Sequence, residues 1–303
     1  MTKQVHICDG TDEDYRKVIK HANKCEGWIM AEDEFELMSN YLGRDKLRFK
    51  VAKTEDGDVV GCCLLYMFPN APFVTYYFVH PDFRKRGIGK QLFDGAVAET
   101  ISNYNVGLHG SLLMTQRYDK VYGFNKYPSW VSDQLEVRNI DMSKLTNSTD
   151  DLVVKDLSEV DVNSVCRYDA GIAKWDREEY LKKFLFKNRT CKVILNKKGE
   201  IVGYGRLTVS IVNSPIVGPI YSDTTEGFLL LFSELVRSYA KNIVKDVPFL
   251  LRIPSTKTPM ITELMQKLGE IKKLPNCVPQ YTRMVPEHDL NRIYLLIDLN
   301  CFI

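Results

Sequence analysis

The 303-residue sequence has little excess charge and no long hydrophobic run. Its formal net charge is +2, so no large basic surface marks nucleic acid as the main partner. The longest apolar run, residues 227–232, is far shorter than a membrane span, and the N-terminal residues lack the apolar segment of a signal peptide. We therefore expect a soluble, cytoplasmic protein that binds neither nucleic acid nor a membrane.

The eight cysteines form no CxxC pair and no Cys–His cluster with the spacing of metal ligands. Several lie within apolar stretches, where a free thiol packs as a small core side chain. This distribution favours a reducing compartment and predicts no metal site. Two nucleotide-binding fingerprints are also absent, because the sequence has neither a GxxxxGK[ST] loop nor a GxGxxG turn.

Helix and strand patterns alternate along the first half of the sequence. Thr11 is a suitable N-cap for an amphipathic helix, and Asp56-Gly57 is a hairpin signal between two strands. An aromatic and β-branched strand follows at residues 73–80, and then a helix, a brief strand and a helix that ends at Gly123. The pattern predicts an α/β fold with a mixed sheet, of the α+β kind.

The second half of the sequence repeats this order of elements. Residues 196–209 align with residues 53–66, glycine for glycine at two positions. Chance similarity is the alternative, since hairpins of this composition are common, but the shared order of elements favours a duplication. We place the boundary in the polar stretch 141–151, and predict one domain over residues 1–142 and a second over residues 150–303.

The stretch "VHPDFRKRGIGKQL", residues 79–92, places three basic residues directly before a glycine pair at the start of a predicted helix. The unpaired amides of a first helical turn and the helix dipole favour an anion there. Glycine lets the backbone approach the anion closely, and Arg and Lys side chains add positive charge at the rim. The sequence therefore predicts a phosphate-binding turn of the form Arg84-x-x-Gly87-x-Gly89.

Residues 79–89 resemble the acetyl-CoA signature of the GNAT acetyltransferases, in which a pyrophosphate loop R/Q-x-x-G-x-G/A lies between a strand and a helix. The order of elements from residue 3 to residue 124 is similar to that of the family. The resemblance implies two tandem GNAT-like domains with the acyl-CoA N-acyltransferase fold, and acetyl-CoA as the co-substrate. The cofactor-binding residues that it implies are Tyr77, Val79, Arg84, Lys85, Arg86, Gly87, Ile88, Gly89, Lys90 and Ser111.

The resemblance also implies roles in acetyl transfer. The Val79 amide would face the thioester carbonyl as an oxyanion donor, an effect of about 10²-fold or more. The family carries an Asn seven residues before a Tyr, and here Ser111 and Tyr118 stand at those positions. One extra residue then precedes Gly123, so both Tyr118 and Tyr122, one helical turn later, are candidates for protonating the departing thiolate. Packing of the two rings at a helix end is the alternative.

The base that removes the proton from the attacking ammonium stays open at this point. His80 and His109 both lie at strand ends near the expected cleft. We interpret His80 as a loop residue without a catalytic role, and His109 as the catalytic candidate. The acidic residues Glu32, Asp33, Glu34 and Glu36 form either a solvated helix face or an attractor of cations. An aromatic wall, or simply core packing, is predicted for Tyr76, Tyr77 and Trp130.

The second copy lacks the residues of the phosphate-binding turn. At the matching positions stand Thr225, Phe228 and Leu230, whose bulk would fill the space that a pyrophosphate needs. Residues 150–290 are similar, more loosely, to the YitH/HolE-type domain that follows a GNAT domain in tandem proteins. We predict a catalytic first domain and a degenerate second one.

The sequence thus predicts an acetyl-CoA-dependent N-acetyltransferase that acts by direct transfer to an amine, either a small amine or an amino-acid-like metabolite. No cysteine beside the signature suggests an acyl-enzyme. The alternatives are a CoA-binding sensor or scaffold without turnover, and an acetyltransferase of protein lysines or N-termini. The oligomeric state is left open.

Overall fold

Contacts in the computed structural model divide the chain into two compact units. The first unit comprises the residues up to Pro128 and a later segment, Val278–Val285. The second unit comprises Ser129–Cys277 and a segment that begins at Pro286. The structure describes residues 4–147, 149–242 and 246–297.

The first division between the units lies at Pro128, before the polar stretch 141–151 where the sequence predicts it. The strand Ser132–Arg138 explains the difference, because it pairs with Phe249–Pro254 and so groups with the second unit. The segment Val278–Val285 groups with the first unit, although the sequence-based division assigns it to the second domain.

In the described part of the first unit, the strands are β1 (Val5–Asp9), β2 (Leu47–Thr54), β3 (Val59–Tyr66), β4 (Phe73–Val74), β5 (Phe78–Val79) and β6 (Gly107–Ser111). The helices are α1 (Asp12–Glu26), α2 (Glu34–Leu42), α3 (Ile88–Phe93), α4 (Glu99–Ile101) and α5 (Leu112–Tyr122). A π-helical turn joins α3 to α4, so residues 88–101 form one continuous helix.

The first unit is built on a sheet with the strand order β1-β2-β3-β4-β6. Neighbouring strands run antiparallel, except that β4 and β6 are parallel. Strand β5 pairs with β3 beyond the end of β4. The predicted hairpin is confirmed, because Gly57 lies in the turn between β2 and β3 with φ +83°, a conformation that glycine adopts without strain.

Helix α1 begins where the sequence predicts, because Thr11 and Asp14 cap it reciprocally. The Asp14 amide donates to the Thr11 hydroxyl (3.2 Å), and the Thr11 amide donates to the Asp14 carboxylate (2.9 Å). Lys53 on β2 forms an ion pair with Asp14 at 2.8 Å. Burial alone would raise the pKa of Asp14, but the bonds from Lys53 and Thr11 outweigh burial and lower it. These bonds fix the start of α1 to the sheet.

Helices cover both faces of the sheet in the first unit. On one face, Ala52 of β2 belongs to the apolar cluster that contains Leu92 of α3. Residues alternate between faces along a strand, so Phe49 of β2 points to the opposite side. There the Phe49 ring packs against Phe35 of α2 (5.2 Å between centroids), and Phe35 stacks on Tyr15 of α1 (5.1 Å).

A β-bulge interrupts the strand that the sequence predicts as continuous over residues 73–80. Val74 pairs with Leu65 and Phe78 pairs with Cys62, so a step of four residues (74 to 78) faces a step of three on β3 (65 to 62). The extra residue bends the strand. Beyond the bulge, β5 stays paired with β3, and in the described part of the chain it has no pairing with β6.

In the described part of the second unit, the strands are β7 (Ser132–Arg138), β8 (Leu152–Asp156), β9 (Thr190–Asn196), β10 (Ile201–Val209), β11 (Pro215–Ser222), β12 (Phe249–Pro254), β13 (Glu270–Tyr281) and β14 (Ile293–Leu295). Only the part of β13 up to Cys277 belongs to this unit. The helices are α6 (Val162–Ala173), α7 (Glu178–Tyr180), α8 (Thr225–Tyr239) and α9 (Thr258–Leu268). The strand order is β13-β7-β12-β11-β10-β9-β8, and β14 also pairs with β11.

The second unit repeats the element order of the first, as the internal similarity of the sequence predicts. From β8 through α9, strands and helices alternate in the same order as from β1 through α5. A bulge recurs at the matching place, because a step of two residues from Gly205 to Leu207 on β10 faces a step of three from Ile220 to Val217 on β11. The two units therefore share the irregularity as well as the regular elements.

Replacing Thr11 with alanine removes the hydroxyl that caps α1, and we expect the free energy of opening α1 to fall by about 1 kcal/mol. Native-state hydrogen exchange of the α1 amides measures this free energy. Ser164→Ala is the control, because the Ser164 hydroxyl bonds to Asp161 (2.8 Å) in the second unit and should leave α1 unchanged. Equal protection of α1 in both variants would contradict the capping role.

Candidate functional site

The loop predicted to bind phosphate joins the short 3-10 turn Pro81–Phe83 to the start of α3. Lys85 (φ +62°) and Gly87 (φ +77°) adopt left-handed conformations, and Gly87 is the N-cap of α3. A Cβ on Gly87 would meet the Gln91 side-chain nitrogen at 4.0 Å and nothing nearer. The helix start is therefore accessible, and its first amides and its dipole present positive charge to an anion.

Three basic side chains surround the accessible helix start. Lys85, Arg86 and Lys90 are all exposed. The Arg86 guanidinium lies over the Phe83 ring, 5.1 Å from its centroid, and Lys90 forms an ion pair with Asp94 one turn along the helix. These side chains can supply positive charge at the rim, as the sequence predicts.

Arg84, the first residue of the motif, turns away from the helix start. Its Nε donates to the Val79 carbonyl oxygen at 2.9 Å. Its Nη2 forms an ion pair with Glu26, the last residue of α1. The Arg84 guanidinium thus connects the end of β5 to the end of α1.

Strand β5 directs one backbone edge away from β3. The His80 amide donates to the Val60 carbonyl (2.8 Å), so the His80 amide faces β3. Because backbone groups alternate along an extended strand, those of Tyr77 and Val79 face the other side. Strand β6 pairs with β4 and, in the described residues, has no pairing with β5. The edge of β5 therefore lines a gap between diverging strands.

Gly89 has a packing requirement that the sequence analysis missed. A Cβ on Gly89 would lie 2.6 Å from the Tyr77 hydroxyl oxygen. The Tyr77 ring also packs against Phe93 (5.4 Å between centroids) and Tyr118 (6.3 Å). The side chain of Tyr77 thus connects the loop to α5. In the sequence, only the small residue at the last position of R-x-x-G-x-G indicates this close approach.

The structure separates the two tyrosines that are candidates for the proton donor. Tyr118 is 6% exposed, packs against Tyr77, and lies 3.1 Å from the position of a Cβ on Gly110 of β6. Burial raises the pKa of Tyr118 well above its usual value. Tyr122 instead donates to the Asp94 carboxylate (3.4 Å), and burial and Asp94 raise its pKa to about 12. Tyr118 thus contacts Tyr77, which directly precedes β5, and Gly110 of β6, whereas the Tyr122 hydroxyl bonds to Asp94.

His109 and Ser111 lie on β6, beyond its pairing with β4. The His109 ring meets the Phe73 ring edge-on, with 5.4 Å between centroids. Since residues alternate along β6, His109 faces the opposite side of the sheet from Leu108, which packs in the same apolar cluster as Tyr118. Ser111 is exposed at the N-cap of α5 and makes no side-chain capping bond.

The acidic start of α2 contains a buried carboxylate that the sequence analysis did not single out. Glu34 is 5% exposed and accepts a hydrogen bond from the Tyr66 hydroxyl (3.4 Å). Burial, with Glu34 nearby, raises the pKa of Tyr76 well above its usual value. Glu34 lies three and four residues before the buried Leu37 and Met38, a helical spacing that marks it as inward-facing. The exposed acidic residues there are Glu32 and Glu36.

The remaining predicted residues fall in separate places. Tyr76 is buried in the first unit, where the Tyr15 hydroxyl donates to the Tyr76 hydroxyl (3.2 Å). Trp130 is buried and groups with the second unit. The Nδ1 of His80 accepts from the Asp82 amide (3.4 Å) at the start of the 3-10 turn, which agrees with its interpretation as a loop residue.

In the second unit, the edge of β11 that corresponds to the open edge of β5 is paired with β14. Ile220 of β11 pairs with Leu295, and Tyr221 pairs with Ile293. The Leu296 amide continues the pairing by donating to the Arg252 carbonyl on β12 (2.8 Å). Strand β14 thus bonds to the backbone groups of β11 whose counterparts on β5 have no strand partner among the described residues.

The start of α8 in the second unit is covered by the same segment. The Tyr294 ring stacks on Phe228 with 4.8 Å between centroids, and its hydroxyl lies 3.1 Å from the Thr225 hydroxyl. Leu230 is fully buried in the core. The bulky residues thus stand where the sequence predicts an obstruction, but Tyr294, which the sequence analysis missed, covers the helix start together with them.

Comparisons with known proteins match both units to one family. The Acetyltransferase (GNAT) family model matches residues 15–111, and an Acetyltransferase (GNAT) domain model matches residues 165–292. The chain therefore belongs to the GNAT acetyltransferase family and carries two GNAT domains in tandem. The resemblance inferred from the sequence is confirmed.

Curated proteins from two organisms and a number of solved structures are similar to this chain. An uncharacterized N-acetyltransferase of Bacillus subtilis, YitH, is 22% identical over 72% of this chain and 73% of its own length. An uncharacterized Caenorhabditis elegans protein is 24% identical over 52% of this chain, and the match covers half of that relative. A tandem GNAT protein from the clavulanic acid biosynthesis pathway has a TM-score of 0.66 at 13% identity, covering 92% of this chain and 98% of that one. At this identity the structural likeness shows the fold alone.

The described residues contain neither a metal-binding cluster nor a membrane-spanning helix. No group of histidine, cysteine and acidic side chains in residues 4–147, 149–242 and 246–297 has an arrangement that could hold a metal ion. Across the same ranges, every helix is too short or too polar to cross a membrane.

Two glycines of one helix should respond to alanine in opposite ways. Gly89→Ala pushes a methyl group into the Tyr77 hydroxyl, and we expect a loss of about 1–3 kcal/mol in the free energy of unfolding. Gly95→Ala, in the same continuous helix, makes only ordinary contacts with Lys50 (3.5 Å at the nearest) and should stabilise the helix by about 0.5–1 kcal/mol. Urea unfolding measures both values, and equal effects would contradict the close approach of Tyr77.

Proposed function

We propose that the chain is an acetyl-CoA-dependent N-acetyltransferase that transfers the acetyl group directly to an amine, with the reaction carried out by the first unit. The observation that supports it most is the open backbone edge of β5 beside the accessible helix start at Gly87. A strand edge pairs with an extended amide ligand, and a helix start binds a phosphate group. The two features together suit a ligand that carries both an extended amide arm and a phosphate group.

The residues of the first unit fit the chemistry of coenzyme A. The amides from Arg84 to Gly89 would hold the diphosphate, with charge from Lys85, Arg86 and Lys90 at the rim. The backbone groups of Tyr77 and Val79 would pair with the amides of the pantetheine arm. Acetyl-CoA supplies an activated acetyl thioester.

Two groups would act on the thioester in the gap between β5 and β6. The Val79 amide, which faces away from β3, would donate to the oxyanion that forms on the carbonyl. Tyr118 would donate its proton to the departing sulfur, and its raised pKa keeps the hydroxyl protonated through neutral pH. Among described residues, the Tyr118 hydroxyl makes no hydrogen bond, which leaves it available to the substrate.

The acceptor amine would approach from the opposite face of the sheet, where His109 lies beside Phe73. An amine is protonated in solution, so it needs a group that takes a proton before attack. His109 is the candidate for this base, because its ring lies on that face and an imidazole can accept a proton. The proposed acceptor is a small amine or an amino-acid-like metabolite, and a protein lysine or N-terminus is the alternative.

Thiol release from acetyl-CoA with a panel of small amines tests the proposed function, with histone-like peptides as the alternative acceptors. We expect release with at least one small amine, and calorimetry to give one CoA per chain because β14 closes the edge in the second unit. Binding of CoA without release from any acceptor would favour a sensor or scaffold. Two CoA molecules per chain would contradict the closure of the edge in the second unit by β14.

Tyr118→Phe removes the proposed proton donor, and we expect kcat to fall by about 10²-fold while the Kd of CoA changes little. Tyr122→Phe is the matched control on the same helix, because its hydroxyl bonds to Asp94 and not to the gap. That variant should keep kcat within about threefold of the unmodified enzyme, since the bond to Asp94 is long and partly exposed. Equal loss in the two variants would remove Tyr118 from the proposed role.

A further inference from the structure

The open edge of β5 already has one side-chain partner in this structure. Arg84 Nε donates to the Val79 carbonyl at 2.9 Å, on the side of β5 that faces away from β3. That carbonyl is one of the acceptors that an extended amide ligand would use when it pairs with this edge. The side chain of Arg84 therefore occupies a hydrogen-bonding position that belongs to the ligand.

A second contact keeps Arg84 in this position. Its Nη2 forms an ion pair with Glu26, at the last position of α1. The guanidinium donates through two nitrogens to two acceptors, and this fork geometry fixes its orientation. Both side chains are partly exposed, 47% for Arg84 and 32% for Glu26, so solvent weakens the ion pair and leaves it reversible.

We propose that Arg84 is a displaceable latch on the cofactor-binding edge of β5, and that Glu26 is the positioning residue that holds it there. In the free protein the guanidinium satisfies the Val79 carbonyl. When the pantetheine arm pairs with β5, an amide N–H of the arm takes over that carbonyl and the guanidinium of Arg84 leaves it. This inference rests on the proposed function, since it requires that β5 binds the pantetheine arm.

The latch predicts a different effect on two related ligands. CoA carries the pantetheine arm, whereas 3′-phosphoadenosine 5′-diphosphate carries the nucleotide and the diphosphate without the arm. Displacement of Arg84 opposes the binding of CoA only. Removing the guanidinium should therefore raise the affinity for CoA relative to the affinity for the armless nucleotide, by about three- to tenfold for the loss of one competing hydrogen bond.

Isothermal titration of Arg84→Ala with both ligands tests the latch, and the readout is the ratio of the two dissociation constants. We expect the ratio to shift by about three- to tenfold in favour of CoA. Glu26→Gln should shift it in the same direction by a smaller factor, since it leaves the bond to Val79 in place. An unchanged ratio, or one that moves against CoA, overturns the latch and makes Arg84 a ligand or a support of the loop.

Glu13→Gln is the matched control, because Glu13 forms an ion pair with Lys17 on the same helix as Glu26 (2.8 Å). It should leave the ratio unchanged. The arginine Nε–H resonance gives a second readout, since Arg84 should lose protection from exchange when CoA is added but keep it with the armless nucleotide. If the unmodified chain binds neither ligand, the proposed function and the latch both fall. If it binds both ligands and the ratio of their dissociation constants is unchanged in Arg84→Ala, the latch is wrong and the proposed function stands.

Discussion

A strand that leaves its neighbour must find other partners for its backbone groups, and this constraint governs both units. In the first unit the bulge between Val74 and Phe78 carries β5 away from β6. The N–H and C=O groups on that edge of β5 then need a side chain such as Arg84, solvent or a ligand as their partner. The proposed cofactor site, the gap that holds Tyr118 and the contact of Arg84 with Val79 all follow from this one bend.

In the second unit, a later strand of the same unit supplies the partners for the corresponding backbone groups. This unit has a bulge at the matching place, but β14 pairs with β11 along the edge that β5 leaves open. The bulky residues at the start of α8 belong to the same arrangement, since Phe228 provides the flat surface on which Tyr294 of β14 stacks. A strand and an extended amide ligand make the same hydrogen bonds to an edge, so one geometry supports either internal pairing or binding. The bulky residues at the start of α8 and the pairing of β14 are therefore two parts of one arrangement.

The sequence predicted the regular features of the fold because they depend on local chemistry. The cap at Thr11 and the turn at Gly57 both follow from neighbouring residues. The bulge could not be predicted, since residues 73–80 are aromatic and β-branched throughout and a one-residue slip appears only against a partner strand. Contacts between distant residues were also out of reach, such as those of Tyr294 with Phe228. Nothing in the spacing of the loop indicates that the Arg84 side chain bonds back to Val79 and Glu26.

The aromatic cluster around Tyr77 gives the proposed acid a reason to be buried. Tyr77 lies against Gly89 of the loop and against Tyr118 of α5, so the loop and the proton donor share one rigid support. A tyrosine in this apolar setting keeps its proton, because burial disfavours the phenolate. Its hydroxyl can then donate a hydrogen bond to the developing thiolate, whose conjugate thiol is more acidic in water than a phenol. Since apolar rings exclude water from that bond, burial strengthens the contact as charge develops on sulfur.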